Sequence, residues 1–246
     1  MKKKLLLLLL ILMPFQVMAW KHSNYLNKAP KYSLAYKFIK NRKIIFCNKS
    51  SLVNDIEIAN VINSWLEAGL NNVNLSTSTI SECNNPDIII GEISLPVGIF
   101  GKVVEAGYIN PYNKAEMMKN LSNGLQKAKE TFADKTKYPD KWILIEKLEH
   151  FLNLVSSVEI PFIFVNNIDE AIEGTTTRRT LIHEIGHAFG MGDEDDSSPS
   201  SNFCDATNKS SIRDDLSVMS YKNENEFLSD GDKEGIAKIF ERLSKN

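Results

Sequence analysis

Two histidines four residues apart bracket a glutamate at His183-Glu184-Ile185-Gly186-His187. On a helix, residues i and i+4 share a face, so both imidazoles can grip one cation from the same side. Glu184, beside the first ligand, can reach a metal-bound water. The ion lowers that water's pKa and polarises a carbonyl, while the carboxylate accepts the proton. The segment must therefore be helical. Two histidines do not complete a site that wants three protein ligands, so the chain beyond must turn back toward them. Gly190 can take a left-handed conformation, end the helix and make that turn. Three residues later stands Asp193, whose carboxylate is a legitimate Zn²⁺ ligand at that spacing. His22 and His150 fall in an N-terminal arm and inside a predicted helix, away from this pattern.

The rest of the chain predicts an α/β (α+β) domain around this helix. Lys43–Cys47, Pro86–Gly91 and Ile160–Val165 read as strands; the second is apolar from Ile88 on, as in a sheet covered on both faces. Gly98–Ile109 is a weaker strand broken by glycines, which suits an edge. A helix starts at Asn54, with Glu57 three residues on. Its expected apolar face is Ile56, Ala59, Ile62 (or Asn63) and Leu66 with Trp65 beside it, and Gly69 is the expected C-terminal cap. Residues 113–133 and 139–156 read as helices, as do Thr175–Phe189 and Ser229–Leu243. The polar stretch 191–217 reads as a long loop, and residues 20–42 as an arm without clear period.

The N-terminus carries an address. Lys2 to Lys4 precede the apolar run Leu5–Met13, and Val17-Met18-Ala19 has the small and apolar residues of a cleavage site. Residues 1–19 are expected to be a secretory signal peptide, since the run is far short of the roughly 20 residues a spanning helix needs. Secretion or release into a periplasm follows, with no stable membrane anchor after cleavage. Export makes disulfides possible, and Cys47 and Cys83, at the ends of two predicted strands, are candidates; an odd third, Cys204, lies in the loop. A chain 43% hydrophobic and 24% charged excludes bulk disorder and a multi-span membrane protein. The slight acidic excess gives no footprint for nucleic acid.

Further on, Ser217-Val218-Met219-Ser220-Tyr221 supplies a methionine two residues before a tyrosine. H-E-x-x-H-x-x-G-x-x-(His or Asp) followed by such a turn resembles the metzincin clan of zinc endopeptidases. Met219 matches the methionine that lies beneath the metal. Tyr221 matches the tyrosine that ligates the metal or stabilises the oxyanion in astacin-like and serralysin-like members. Leu228–Ile236 and Pro86–Gly91 are similar to segments of the matrixin branch. The resemblance runs from about residue 43 to the end. It implies a metzincin-type catalytic domain: a twisted, mostly parallel sheet with an antiparallel edge strand, an active-site helix, a Met-turn and a C-terminal helix.

Three departures follow from the same comparison. Asp193 replaces the usual histidine, as in snapalysin-like enzymes, and its charge should weaken the Lewis acidity of the ion. No cysteine-switch propeptide is expected ahead of the domain, because the arm at 20–42 is too short for a folded prodomain. Residues 112–158 form a helical insertion, expected to flank the cleft.

The expected function is that of an exported zinc metalloendopeptidase acting as a monomer on protein or peptide substrates. Such a substrate would pair with the edge strand, and Tyr221 to Glu226 would wall the pocket beyond the scissile bond. A secreted zinc-containing binding protein without activity is the alternative, although Glu184 would then have no use. An iron oxygenase shares the two-His, one-carboxylate set. The acidic residues of 194–216 leave Ca²⁺ binding open.

Overall fold

The computed structural model describes residues 29–70, 79–93, 106–166, 177–192, 217–219 and 226–245. The expected signal peptide, Asp193, Cys204 and Tyr221 lie outside them, as do residues 98–105 of the expected edge strand. Among the described residues are five strands: β1 (Ile44–Lys49), β2 (Thr79–Ser81), β3 (Ile88–Ile93), β4 (Ala106–Ile109) and β5 (Phe162–Asn166). Six helices accompany them: α1 (Leu34–Asn41), α2 (Asp55–Leu70), α3 (Lys114–Thr131), α4 (Pro139–Ser157), α5 (Thr177–Phe189) and α6 (Asp230–Ser244). No helix among the described residues is long and apolar enough to cross a membrane.

The strands form one sheet in the order β2-β1-β3-β5-β4. β1 pairs in parallel with β2 and β3, and β3 with β5, while β4 runs antiparallel to β5 at one edge. The class is α/β with a mostly parallel sheet. Alternation along the strands divides the core between its two faces. Ile44, Phe46, Ile88, Ile90, Tyr108, Ile163 and Val165 point to one face and pack with α1, α2, α5 and α6. Ile93, Ile109, Phe162 and Phe164 point to the other, where Leu121 of α3 and Phe151 and Val155 of α4 cover them. Both faces are thus buried, which is why β3 and β5 are nearly all apolar.

The helical insertion is therefore the second layer of the core. Its described contacts lie on the sheet face opposite α5, so it backs the sheet instead of flanking the His183 helix. A small cluster of its own, Leu125, Ala128, Phe132, Ile145 and Leu148, closes the hairpin between α3 and α4.

Three expectations change in detail. The segment read as an arm contributes a 3-10 turn (Pro30–Tyr32) and α1, whose Leu34, Ala35 and Phe38 enter the core. Helix α2 begins as expected, Asn54 Oδ1 accepting from Glu57 N at 2.8 Å. Its buried face, however, is Ile58, Val61, Ile62, Trp65, Leu66 and Gly69, and Ile56 is 74% exposed. Gly69 lies inside the helix, where its missing side chain lets the Phe240 ring of α6 approach. Cys47 and Cys83 are joined as a disulfide with Cα atoms 4.5 Å apart, tying β1 to the chain just beyond its neighbour β2.

Candidate metal centre

Helix α5 carries the H-E-x-x-H segment, and its far end is made by Gly190. There φ is 113°, a region open to glycine and strained for other residues. Gly190 N donates to the carbonyls of Gly186 (3.1 Å) and His187 (2.9 Å), and Met191 N also donates to Gly186 O (3.0 Å). This closes the last turn of the helix. From outside the motif, Ser33 Oγ donates to Phe189 O at 2.8 Å, so the N-terminal segment braces the same turn.

His183 and His187 are 6% and 1% exposed, and Glu184 between them is 3% exposed. The two rings meet edge to face, with centroids 4.6 Å apart. His183 Nδ1 lies 2.9 Å from Val218 O, and His187 Nδ1 lies 3.0 Å from Met191 O. A carbonyl only accepts, so each Nδ1 carries its proton and donates. In a neutral ring the Nε2 is then a bare lone pair. The two Nε2 atoms face each other at 3.1 Å. Two acceptors aimed together at that distance repel unless a cation or proton lies between them.

These residues fit a zinc ion. Two nitrogens each about 2.0–2.1 Å from one Zn²⁺ at a tetrahedral angle stand roughly 3.3 Å apart. The 3.1 Å separation meets that requirement with little movement. Backbone carbonyls on both Nδ1 atoms are the outer support that metal-binding histidines use to fix tautomer and orientation. Among the described residues no third His, Cys, Asp or Glu completes the set. Asp193, the expected third ligand, falls outside them.

Met219 lies directly beneath the motif. A Cβ at Gly186 would stand 2.6 Å from Met219 Sδ and 2.7 Å from Trp65 Cζ2, so only glycine lets these two side chains pack there. Trp65 is held by its own bond, Nε1 donating to Ile182 O at 3.0 Å. On the sheet side, the Tyr108 ring of edge strand β4 stacks near His187 with centroids 6.4 Å apart. The edge strand and the motif helix are thus neighbours. A hollow of about 500 Å³, lined by residues including Ser64, Arg178, Glu226 and Phe227, opens beside α5, but neither histidine lines it.

One participant has only a faint sequence signal. Asp232 is fully buried. Its Oδ1 accepts from Ser217 Oγ (2.5 Å), and its Oδ2 from Val218 N (3.0 Å) and Ser229 N (2.8 Å). Ser229-x-x-Asp232 is legible as a capping box for α6, and that box is present. The tie to residues 217 and 218 is visible only in three dimensions.

Compared with protein families, with curated proteins and with solved structures, the chain matches none.

Proposed function

We propose that this chain is a zinc-dependent hydrolase and, within that class, an exported metalloendopeptidase with a metzincin-like catalytic domain. The observation that carries the reading is the histidine pair: two buried imidazoles, Nδ1 atoms tied to carbonyls, Nε2 atoms converging at 3.1 Å beside a buried glutamate. Support for the finer reading comes from the antiparallel edge strand beside the motif helix and from Met219 beneath Gly186. Support for export comes from the N-terminal pattern and from the disulfide, a bond that persists in oxidising compartments.

In this reading His183, His187 and Asp193 hold the ion. Bound Zn²⁺ supplies Lewis acidity, polarising the scissile carbonyl and acidifying water at the site. An extended substrate pairs with edge strand β4, which runs beside α5. Glu184 takes the proton of the attacking water as the water oxygen bonds to the carbonyl carbon. It then passes that proton to the amine nitrogen as the C–N bond breaks. Tyr221 donates to the oxyanion.

The test is cleavage of a diverse peptide mixture, with new termini read by mass spectrometry and Glu184→Ala as control. New termini with the wild type and none with the variant are expected. Identical termini from both proteins, with zinc confirmed bound, would refute peptidase activity and leave a binding protein.

A further inference from the structure

We infer that Asp232, at the start of the C-terminal helix, is a positioning residue that fixes the tautomer and aim of the His183 imidazole. It acts through two consecutive peptide units, Ser217–Val218 and Val218–Met219. Its Oδ2 accepts from Val218 N, its Oδ1 accepts from Ser217 Oγ, and the Val218 carbonyl accepts from His183 Nδ1. Ser217 Oγ also accepts from Met219 N at 3.0 Å, so residues 217–219 are held at three successive points.

A capping role alone does not account for this arrangement. Capping α6 uses a single acceptor, the one that takes Ser229 N. Cap carboxylates work well at the surface, whereas Asp232 is wholly buried. Burying a carboxylate is costly unless its lone pairs are filled. Here three donors fill them, and two of the three come from the segment under His183. The charge-assisted bond to Val218 N fixes the Ser217–Val218 peptide, and Ser217 Oγ, itself held by Asp232, accepts from Met219 N, whose own peptide carries on its opposite side the Val218 carbonyl that His183 Nδ1 meets. Outer partners of this kind change metal affinity roughly 10–100-fold when removed.

The metal side of the inference rests on the proposed zinc site; the tautomer does not. The experiment therefore reads both on the full-length protein. Imidazole nitrogens are observed by nitrogen-15 NMR in metal-free protein with the rings neutral, and Zn²⁺ affinity is measured by chelator competition. Asp232→Asn keeps the shape but sets an amide donor against N–H and O–H donors. His183 is expected to pass from a single Nδ1–H form in the wild type to a mixture of tautomers, with zinc affinity about 10–100-fold weaker. Ser229→Ala weakens the α6 cap but leaves the bonds to Ser217 and Val218. It is expected to lower the melting temperature, with His183 unchanged and zinc affinity within about twofold. Should Asp232→Asn fail to fold, Ser217→Ala removes one donor and is expected to give the same changes in smaller measure. A His183 held fully as Nδ1–H in the folded variant overturns the inference. So does a loss of zinc affinity in Ser229→Ala equal to that in Asp232→Asn. If the wild type binds no zinc, the site reading fails and the tautomer still decides the role of Asp232.

Discussion

Replacing Gly186 with alanine should destabilise the fold although alanine is the better helix former. In an open helix the change gains about 1 kcal/mol. At residue 186 the new methyl carbon would stand 2.6 Å from Met219 Sδ and 2.7 Å from Trp65 Cζ2. Both separations are far inside van der Waals contact. Neither neighbour yields easily: both are fully buried, and the Trp65 indole is tethered to Ile182 O. Overpacking of a filled core costs about 1–3 kcal/mol, and two simultaneous clashes belong at the upper end. The net loss is then about 1–2 kcal/mol, or roughly 2–8 °C in melting temperature for a chain of this length. Circular dichroism melts of the two proteins measure it. A double-mutant cycle sharpens the test, since Met219→Ala opens the space the methyl needs. The cost of Gly186→Ala should fall by at least about 0.5 kcal/mol in that background. An unchanged or higher melting temperature for Gly186→Ala would refute the packing of Met219 and Trp65 beneath the histidines. Strict additivity in the cycle would exclude Met219 specifically.

Other consequences follow from single contacts. Opening the Cys47–Cys83 bond, which spans 36 residues of sequence, should lower stability by about 3–4 kcal/mol by freeing the unfolded chain. Denaturant titration of Cys47→Ser/Cys83→Ser measures this, and a loss below about 1 kcal/mol would speak against the loop-entropy account. Ser33→Ala strips a buried bond from Phe189 O and the cap of α1, and should cost about 1–3 kcal/mol in the same assay. Asp55 is held below its ordinary carboxylate value chiefly by the Ser81 hydroxyl and then by Asn48. A lowered folded pKa means stability that is present above the unfolded value and is lost as pH falls through the folded one. Asp55→Asn should therefore flatten the decline in melting temperature below about pH 4, and an unaltered acid limb would count against those two bonds.

What could be read from the sequence was what local chemistry decides. Asn54 starts α2 because a short amide side chain reaches the N–H of Glu57 whatever lies around it. The apolar run at residues 88–90 pairs on both sides because none of its side chains tolerates water. Gly190 ends α5 because only glycine enters φ 113° freely. Where two tertiary outcomes share one local pattern, the reading failed. Ile56 and Ile58 serve equally well on a helical apolar stripe, and the contact with α5 and α6 chose Ile58. Gly69 looks the same as a cap and as a gap for Phe240. β2 has three residues, none of them buried, and is a strand only because β1 is beside it.

The candidate metal centre divides along the same line. Spacing alone brings His183, Glu184 and His187 to one side of a helix, but spacing does not say which ring nitrogen is offered. That choice is made by two carbonyls, Val218 O and Met191 O, and backbone groups leave no mark in composition. Their placement depends on distant residues. Gly190 and Ser33 shape the turn that presents Met191, while Asp232, Ser217 and the space at Gly186 shape the one that presents Val218. Both ends of the chain thus converge on the two imidazoles, the N-terminal segment through Ser33 and the C-terminal helix through Asp232. A fragment carrying the motif helix alone would keep the i, i+4 histidines and lose the tautomer control. If the proposed site holds zinc, the fragment should therefore bind it far more weakly than the whole domain in chelator competition, because each ring would have to be oriented by the metal itself.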